Sequence, residues 1–335
     1  PLFSRRRRLP RSRGRSRGLG DVYKRQSLYD VVTSIPASVD AIYCVDDCCP
    51  ERSTEAVCEL TENDDRVTVI ERDMNGGVGA AMISGYRKAL QDGVDIVIKV
   101  DGDGQMDTSL IPLFVAEIAE GRADYVKGNR FHSLEMARSM PLVRKVGNMG
   151  LSFLSKLSTG YWQVFDPTNG YTAIQSDVLR ALQLDKVDQR YFFESDMLFH
   201  LGLLRARIVE IPMHAVYGEE ESSLSNLDAL RRFPFKHARN FFKRLGSDYF
   251  LRNFGLASLE LVIGTVLFFF GLLFGLSAWA ESSQSGQAAT AGTVMLSALP
   301  FLVGTQLLLN FFAFDMAREP RQAIHPRLKR TAGSG

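Results

Sequence analysis

Two apolar segments near the C-terminal end constrain this chain more than any other feature. Residues 256–278 read LASLELVIGTVLFFFGLLFGLSA, with Glu260 as the one charged residue, and residues 293–314 read TVMLSALPFLVGTQLLLNFFAF, with no charge. Each is long enough to cross a hydrocarbon core of about 30 Å as a helix. The alternative is a pair of buried helices in a soluble domain, but such helices rarely run past about 20 residues without a polar face. The sequence therefore predicts two transmembrane helices, and we expect Gln306 and Asn310 in the second to hydrogen bond to the first.

Basic residues lie on both sides of the predicted hairpin, which occupies residues 255–316. Seven Lys or Arg fall between 231 and 252 and five fall between 318 and 330, whereas the connecting segment 279–292 has none. The positive-inside rule places both ends of the hairpin in the cytoplasm. An integral membrane protein with cytoplasmic termini is predicted, in which residues 317–335 form a basic cytoplasmic tail.

The segment before the hairpin, residues 226–254, mixes bases with seven Phe or Tyr residues. That pattern is typical of amphipathic helices lying on an anionic membrane surface. A solvated linker helix is the alternative.

The first 26 residues hold nine Arg, one Lys and one Asp, a net charge of +9, although the whole chain carries only +2. The remainder is therefore acidic, at −7. A basic arm that binds nucleic acid or membrane is one interpretation, and a transit peptide is a weaker one, because no amphipathic helix follows the arginines. We favour a third, that residues 1–26 are foreign to the natural protein and unfolded, because DVYKRQ resembles translated sequencing adapter.

Between residues 27 and 225, short β-branched runs alternate with helical patterns. This alternation predicts an α/β domain, a mostly parallel sheet flanked by helices. The predicted strands are Asp40–Val45, Arg66–Ile70, Val94–Val100 and Asp124–Lys127. The predicted helices are Ser27–Ile35, Glu51–Glu62, Val78–Gln91 and Ser109–Glu120.

Polar clusters follow the predicted strands, where ligands bind in such sheets. Asp101 and Asp103 stand two residues apart after a strand, and two carboxylates so placed can bind one hard cation. An EF-hand is excluded because Met106 and Pro112 occupy the positions of its required Gly and Glu. The spacing of the four cysteines is not that of a zinc site.

The glycine-rich segment Asn75-Gly76-Gly77-Val78-Gly79 opens a predicted helix, which can face a phosphate. It does not match the dinucleotide-binding fingerprint, because Met82 replaces the third glycine.

Taken in order, these motifs resemble family-2 glycosyltransferases of the GT-A fold, in particular the membrane-associated type that acts on polyprenyl phosphates, such as dolichol-phosphate mannose synthase. The resemblance covers residues 27 to about 225. The matching segments are VDD (45–47), NGGVGAAMISGYRKAL (75–90), VDGDGQMD (100–107), YVKGNRF (125–131), DPTNGY (166–171) and YFFESDML (191–198).

The resemblance implies a nucleotide-sugar donor, a GDP- or UDP-hexose, and a divalent cation, Mg²⁺ or Mn²⁺, that bridges its diphosphate. Asp103 and Gln105 would be metal ligands, with Asp101 facing the metal or the ribose. The nucleotide itself would be contacted by three further residues, Asp46, Asp47 and Asn75.

The resemblance also implies an acceptor side. Arg130 and Arg144 are candidates for binding phosphate, because guanidinium groups do so bidentately, and Arg138 is a weaker one; surface salt bridges are the alternative. Asp166 and Asn169 would contact acceptor or sugar, although the Asn-Gly pair also suits a structural turn.

Glu194 and Asp196 would supply a base if the acceptor were a hydroxyl, whereas an ionised phosphate needs none. Helix capping is the alternative role for these two acids. The three consecutive acids in the loop 217–223 argue against a phosphate clamp there.

One family feature is absent: the opening strand and its nucleotide-cradling turn do not precede the helix Ser27–Ile35. We expect the chain as written to lack the first strand of its sheet and to be a poor enzyme compared with a full-length parent.

The resulting prediction is an inverting glycosyltransferase that moves a hexose onto a polyprenyl phosphate at the cytoplasmic membrane face, with no nucleic-acid partner. Transfer to a hydroxyl of a lipid or glycan is one alternative. A catalytically dead, membrane-anchored scaffold is the other.

Overall fold

The structure is a computed structural model that describes residues 19–48, 64–132, 142–213 and 226–332. Two compact units are present. The α/β unit comprises residues up to Asn240 together with those from Pro320 onward, and the helical unit comprises Phe241–Glu319.

Six strands form two sheets in the α/β unit. Strands β1 and β2 pair in parallel as a two-stranded sheet, and the other four form a second sheet in the order β3-β5-β4-β6. In the second sheet β4 and β6 are parallel, while β5 runs antiparallel to both β3 and β4. The strands are β1 (Ile42–Asp46), β2 (Val67–Glu71), β3 (Ile96–Lys99), β4 (Tyr125–Asn129), β5 (Thr172–Gln175) and β6 (Ile208–Pro212).

Helices cover these sheets and fill two apolar clusters, one built around Tyr86 and Met197 and the other around Phe114 and Tyr171. The helices of this unit are α1 (Leu19–Ser34), α2 (Val78–Gln91), α3 (Ile111–Ala119), α4 (Leu142–Thr159), α5 (Ser176–Ala181), α6 (Phe193–Leu204), the start of α7 (Asn226–Leu245) and, after the helical unit, α10 (His325–Ala332). Short 3-10 turns occupy Thr108–Leu110, Arg130–His132 and Leu184–Lys186.

The predicted α/β alternation is confirmed, and α2 has the predicted bounds. The sheets are mostly parallel, as predicted: β1 and β2 are parallel, and β3, β4 and β6 point the same way, with β5 alone reversed. One expectation is wrong. The first helix begins at Leu19 and not at Ser27, so the backbone of residues 19–26 is helical and not unfolded. The predicted helix Glu51–Glu62 lies outside the described residues, as do residues 1–18.

The helical unit is built on two long helices, α8 (Leu256–Ser285) and α9 (Ala291–Ala317), which follow a π-helical turn at Gly246–Leu251. Both are long and apolar enough to span a membrane, and only 11% of the most apolar window of each is buried. That exposure is opposite to what two core helices of a soluble domain would show. Small residues let the helices approach: a Cβ at Gly304 would lie 2.8 Å from the carbonyl oxygen of Gly264.

A buried ion pair ties the end of α9 to the segment that precedes the hairpin. The guanidinium of Arg244 donates two hydrogen bonds to the Asp315 carboxylate, at 2.7 and 3.0 Å, and the Tyr249 hydroxyl adds a third at 2.6 Å. Both charged side chains are under 5% exposed. Because removing one partner of such a pair leaves a buried charge, the pair fixes how these segments meet.

The predicted hydrogen bonds from Gln306 and Asn310 to the first membrane helix are wrong. The two side chains bond to each other along α9, with 3.1 Å between Gln306 Nε2 and Asn310 Oδ1, and both are exposed. Their positions lie on the side of α9 opposite Gly304, which faces α8.

Residues beyond the hairpin were predicted to form a basic tail, but the structure packs residues 320–332 onto the α/β unit. The fully buried Asp124 carboxylate accepts hydrogen bonds from the backbone N–H groups of Ile324 and His325 and contacts the His325 ring at 2.8 Å. Leu328 on α10 adds apolar contact with the core. The start of α7 packs onto the same unit, where its buried His237 lies 2.8 Å from the Ser158 hydroxyl.

Candidate active site

Buried lysine and carboxylate side chains meet at the carboxyl end of β3. The Lys99 ammonium, 2% exposed, lies 3.0 Å from Asp101 Oδ1 and 3.4 Å from Glu194 Oε1. Burial alone would lower the pKa of Lys99, but the two carboxylates outweigh burial and raise it. Lys99 is therefore charged, and it fixes two of the predicted site residues beside each other.

A turn from Asp166 to Tyr171 lies against this lysine–carboxylate cluster. At Gly170 a side chain would collide with the Lys99 ammonium and would come within 2.7 Å of Asp101 Oδ2, so any larger residue would displace one of these two charged groups. Asn169, 2% exposed, shapes the turn: its side-chain amide donates to the Gly128 carbonyl, and its side-chain oxygen accepts from Tyr171 N. Both ends of the Asn169 amide thus bind the backbone, which supports its role in the turn, and its contact with acceptor or sugar stays a prediction.

At the other end of the turn, Asp166 holds Arg130. The carboxylate is fully buried and accepts from Nε and Nη2 of Arg130 at 2.7 and 2.9 Å. The Arg130 side chain remains 29% exposed. Asp166 thus fixes a partly exposed guanidinium at the end of β4, and its predicted contact with acceptor or sugar stays a prediction.

Glu210 on β6 holds the backbone at the start of the same turn through hydrogen bonds. One carboxylate oxygen accepts from the backbone N–H groups of Phe165 and Asp166, at 2.9 and 3.0 Å, and the other accepts from the Asn129 side chain at 2.9 Å. Burial raises the pKa of Glu210. The sequence analysis did not identify Glu210; the available signal was a single acid inside the apolar run IVEIP.

Asp196 lies outside this arrangement. Its carboxylate is 2% exposed and accepts from Asp188 N at 2.8 Å and from the Asn240 side chain at 2.7 Å. The side chain thus anchors α7 to the rest of the α/β unit, an arrangement that does not favour the predicted catalytic role of Asp196. Glu194, two residues earlier, does reach the site.

The predicted nucleotide turn is a second cluster, around Asp47. This buried carboxylate accepts from the backbone N–H groups of Gly76 and Gly77, at 2.9 and 2.7 Å, and from Arg72 at 3.0 Å. Both carboxylate oxygens of Asp47 thus bind the protein, and its contact with the nucleotide stays a prediction. Asn75 donates to the Asp47 carbonyl, and Asp46 ends β1 next to it; for both, nucleotide contact stays a prediction.

The glycines at the start of α2 serve packing. A Cβ at Gly79 would lie 2.8 Å from the carbonyl carbon of Gln189, and Gln189 O accepts from Ala80 N at 3.0 Å. Three backbone N–H groups at this helix start, those of Gly76, Gly77 and Ala80, bind the protein itself, and a phosphate facing the helix stays a prediction.

The predicted metal ligands stand in the loop after β3. Asp103 is exposed, with Oδ1 accepting from Gln105 N at 3.1 Å, and Gln105 is partly exposed. Among the described residues, no three His, Cys, Asp or Glu side chains converge as a ready-made metal cage. One or two carboxylates, completed by water and by the phosphates of a ligand, nevertheless suit Mg²⁺. The donor set therefore fits a cation that arrives together with a diphosphate.

Several predicted residues cannot be placed. The backbone of Arg144 lies in α4, but its side chain is outside the description, and Arg138 and the loop 217–223 lie outside the described residues altogether.

Lys127 is a second buried lysine that the sequence analysis missed. It is fully buried on β4, and its ammonium donates to the Asn169 carbonyl. Burial lowers its pKa from 10.5 to about 8, a shift that Asp166 and Glu194 oppose. An inward-facing lysine in the strand that precedes GNRF was the signal available in the sequence.

This pKa shift predicts a pH dependence. Below pH 8 both the folded and unfolded states carry the proton, and burial of the charge costs stability in full. Between pH 8 and 10.5 the unfolded state holds the proton and the folded state releases it, so this penalty is relieved as pH rises. We expect wild type to gain about 1–3 kcal/mol over Lys127→Met between pH 7.5 and 10.

The measurement is denaturant unfolding of the full chain in detergent. The exposed Lys186→Met controls for alkaline effects elsewhere. A constant difference between wild type and Lys127→Met across this range would contradict the assignment.

Comparison with known proteins agrees with the fold and the family resemblance. A family model described as glycosyl transferase family 2 matches residues 22–183. The chain belongs to this family and is a family-2 glycosyltransferase, with the α/β domain of GT-A type and two apolar C-terminal helices.

Two relatives show the range of similarity. The chain is 30% identical to undecaprenyl-phosphate mannosyltransferase of Micrococcus luteus over 208 residues, which cover 59% of this chain and 84% of that protein. It is 34% identical to UDP-N-acetylglucosamine--dolichyl-phosphate N-acetylglucosaminyltransferase of Methanococcus voltae over 154 residues, 46% of this chain. That match spans 61% of the length of the archaeal protein.

A third relative, polyprenol monophosphomannose synthase of Mycolicibacterium smegmatis, is 28% identical, with 59% of this chain and 74% of that protein covered. Among solved structures, glucosyl-3-phosphoglycerate synthase of Mycobacterium tuberculosis superposes with a TM-score of 0.48 at 17% identity, covering 68% of this chain and 78% of the other.

Proposed function

We propose that the chain transfers a hexose, with inversion, from a GDP- or UDP-sugar to a polyprenyl phosphate at the cytoplasmic face of a membrane. The observation that carries this proposal is the guanidinium of Arg130, fixed by the buried Asp166 and partly exposed at the end of β4. A rigid guanidinium suits a phosphate group. The names of the three relatives specify undecaprenyl phosphate, dolichyl phosphate or a polyprenol monophosphate product.

The positions of the carboxylates predicted on the acceptor side favour a phosphate acceptor over a hydroxyl. Of the three carboxylates predicted on the acceptor side, Asp166 and Asp196 are buried and bound to protein donors. Glu194 remains, and Lys99 holds it beside Asp101. An ionised phosphate attacks without a base, so this arrangement suits it.

A divalent cation, Mg²⁺ or Mn²⁺, completes the proposal. Asp103 and Gln105 would hold it, with Asp101 beside them. When bound, such a cation neutralises charge on the departing diphosphate. The protein itself fixes the position of Asp101, whose carboxylate lies 3.0 Å from the Lys99 ammonium. Gly170, which has no side chain, leaves room for these two groups.

Two observations support a catalytic domain on the cytoplasmic side of a membrane: the two apolar helices, and the return of the chain to the α/β unit after them. Residues 226–240 and 320–332 belong to the α/β unit, on either side of the hairpin. An even number of spans brings the chain back to its starting side, and basic flanks favour the cytoplasm. The exposed Phe235 and Phe242 on α7, at 77% and 69%, suit a helix in contact with the membrane surface.

The test is transfer from radiolabelled GDP-mannose, UDP-glucose or UDP-N-acetylglucosamine to undecaprenyl phosphate by the full chain in membranes with Mn²⁺. We expect an acid-labile lipid product. An acid-stable glycoside would instead support a hydroxyl acceptor, and the absence of transfer from every donor would support the scaffold alternative.

The metal assignment has its own variant. Asp103→Asn is expected to lower transfer at least about 100-fold by removing a ligand on the cation that stabilises the leaving group. Asp107→Asn, in the same loop, is the matched control, because Asp107 caps the turn at Thr108–Leu110 and asparagine caps equally well. Equal activity of Asp103→Asn and wild type would overturn the metal assignment.

A further inference from the structure

Apolar side chains cluster on the surface of the α/β unit next to Arg130. The aromatic patch consists of Phe131, Met149, Phe153, Trp162 and Phe165. Three of its members are more than half exposed: Met149 at 69%, Phe153 at 54% and Phe165 at 52%. Such a concentration of exposed apolar surface on one face marks an interaction site more often than chance.

The patch contains two pairs of aromatic rings that a hydrogen bond links. Phe131 and Phe165 meet edge to face with their centroids 6.1 Å apart, and Phe153 meets Trp162 in the same way at 6.3 Å. The Ser152 hydroxyl on α4 donates to the Phe165 carbonyl at 3.3 Å and joins the two halves. Met149 and Phe153 lie four residues apart on α4 and so share a face.

The backbone beneath the patch is held in place. Phe165 N donates to Glu210 Oε1 at 2.9 Å, and Phe131 N donates to Asn129 Oδ1 at 2.8 Å. Both bonds belong to the network that positions Asp166 and Arg130. The patch is thus a rigid continuation of the candidate active site.

Two cations border this apolar surface. The Arg130 guanidinium carbon lies 5.8 Å from the Phe131 ring centroid, and the Lys156 ammonium lies 5.4 Å from that of Phe165. Because the Arg130 guanidinium is cationic and partly exposed, it favours binding of an anion at one end of the patch. A ligand that fits both features has a phosphate joined to a branched hydrocarbon chain.

We propose that the aromatic patch binds the isoprene units of the acceptor nearest its phosphate, while Arg130 contacts the phosphate itself. This inference rests on the proposed function and names a subsite for its acceptor. The membrane lipids themselves are the competing occupant. The two differ in one respect: an acceptor subsite recognises a short isoprenyl phosphate, whereas a membrane-contact surface does not.

The experiment follows tryptophan fluorescence in the full chain reconstituted in phosphatidylcholine nanodiscs. Trp162 and Trp279 are the two tryptophans of the chain, so a Trp279→Phe background reports on the patch alone. Geranyl phosphate is the probe, with inorganic phosphate and geraniol as single-feature comparisons. We expect saturable quenching or a shift of Trp162 emission with geranyl phosphate, and at least tenfold weaker responses to the other two.

Phe165→Ser and Phe153→Ser are expected to weaken geranyl phosphate binding about tenfold each, as loss of a buried aromatic contact should. Leu113→Ser is the matched control, because Leu113 is 46% exposed on α3, away from the site. Equal affinity in the patch variants and in this control would overturn the proposal. So would variants that lose transfer to undecaprenyl phosphate while geranyl phosphate binding stays unchanged, the result for a membrane-contact surface.

The two proposals fail separately. If geranyl phosphate binds at the patch and no donor supports transfer, the proposed function is wrong and the subsite stands. If transfer proceeds with the same KM for the acceptor in Phe165→Ser and in wild type, the function stands and the subsite is wrong.

Discussion

Replacing Arg130 with alanine is expected to lower sugar transfer at least about 100-fold, the scale for losing one preorganised charge at a reacting group. It is also expected to destabilise the α/β unit by about 3 kcal/mol, because the fully buried Asp166 is left without its partner. Arg180→Ala is the matched control: this arginine pairs with Asp177 at the surface, 48% exposed, and such pairs contribute about 0–1 kcal/mol.

A double variant separates the two effects. In Arg130→Ala with Asp166→Asn the unpaired charge is gone, so most of the lost stability should return. Activity should not return, because the guanidinium that we assign to the acceptor phosphate is still missing. Recovery of both stability and transfer would show that Arg130 acts only on the fold. The measurements are denaturant unfolding and single-turnover transfer on the same preparations.

Lys99→Met is expected to have a comparable effect. The ammonium of Lys99 stands between Asp101 and Glu194, so its removal leaves two carboxylates at one site with no cation. We expect a loss of about 3–5 kcal/mol in stability and loss of transfer. The exposed Lys88→Met, which breaks a surface pair with Asp92, should cost less than about 0.5 kcal/mol.

The raised pKa of Lys99 predicts how the stability difference between wild type and Lys99→Met changes with pH. The folded-state pKa of Lys99 lies above its unfolded value of 10.5, so its stabilising contribution is complete at neutral pH and is lost only as pH rises through the folded value. The deficit of Lys99→Met against wild type should therefore stay constant between about pH 6 and pH 9 and shrink only as pH rises above 10.5. A deficit that already shrinks within the lower range would contradict the ion-pair assignment.

The sequence predicted the framework because its signals are local. The spacing of apolar residues and the positions of glycines predict both ends of α2 correctly. They predict the ends of the four predicted strands to within about two residues. The orientation of β5 was not accessible in the same way. Pairing direction depends on how the chain returns after α4, which no local pattern encodes.

The site was predicted at the level of segments more accurately than at the level of side chains. Glu194 and Asp196 stand two residues apart on α6, and two helical residues at that spacing point about 200° apart. They cannot both face a substrate, and the structure sends Asp196 toward Asn240. Motif resemblance assigns function to a whole segment, whereas helix geometry divides that segment into a site face and a packing face.

The buried lysines were missed for a related reason. A lysine near the end of a predicted strand is normally exposed, because this side chain is almost never fully buried unless paired. Lys99 shares the inward face of β3 with Val97, and its partners are distant in sequence except for Asp101. Only the folded chain shows that Glu194, 95 residues later, completes the pairing.

The return of the chain to Asp124 has a consequence for biosynthesis. The last hydrogen-bond donors for that buried carboxylate, Ile324 and His325, lie about 200 residues downstream and beyond both apolar helices. A ribosome delivers them only after the hairpin has emerged. The α/β unit can therefore satisfy Asp124 in full only once α8 and α9 have been synthesised, so completion of its core comes after the whole apolar hairpin has been made.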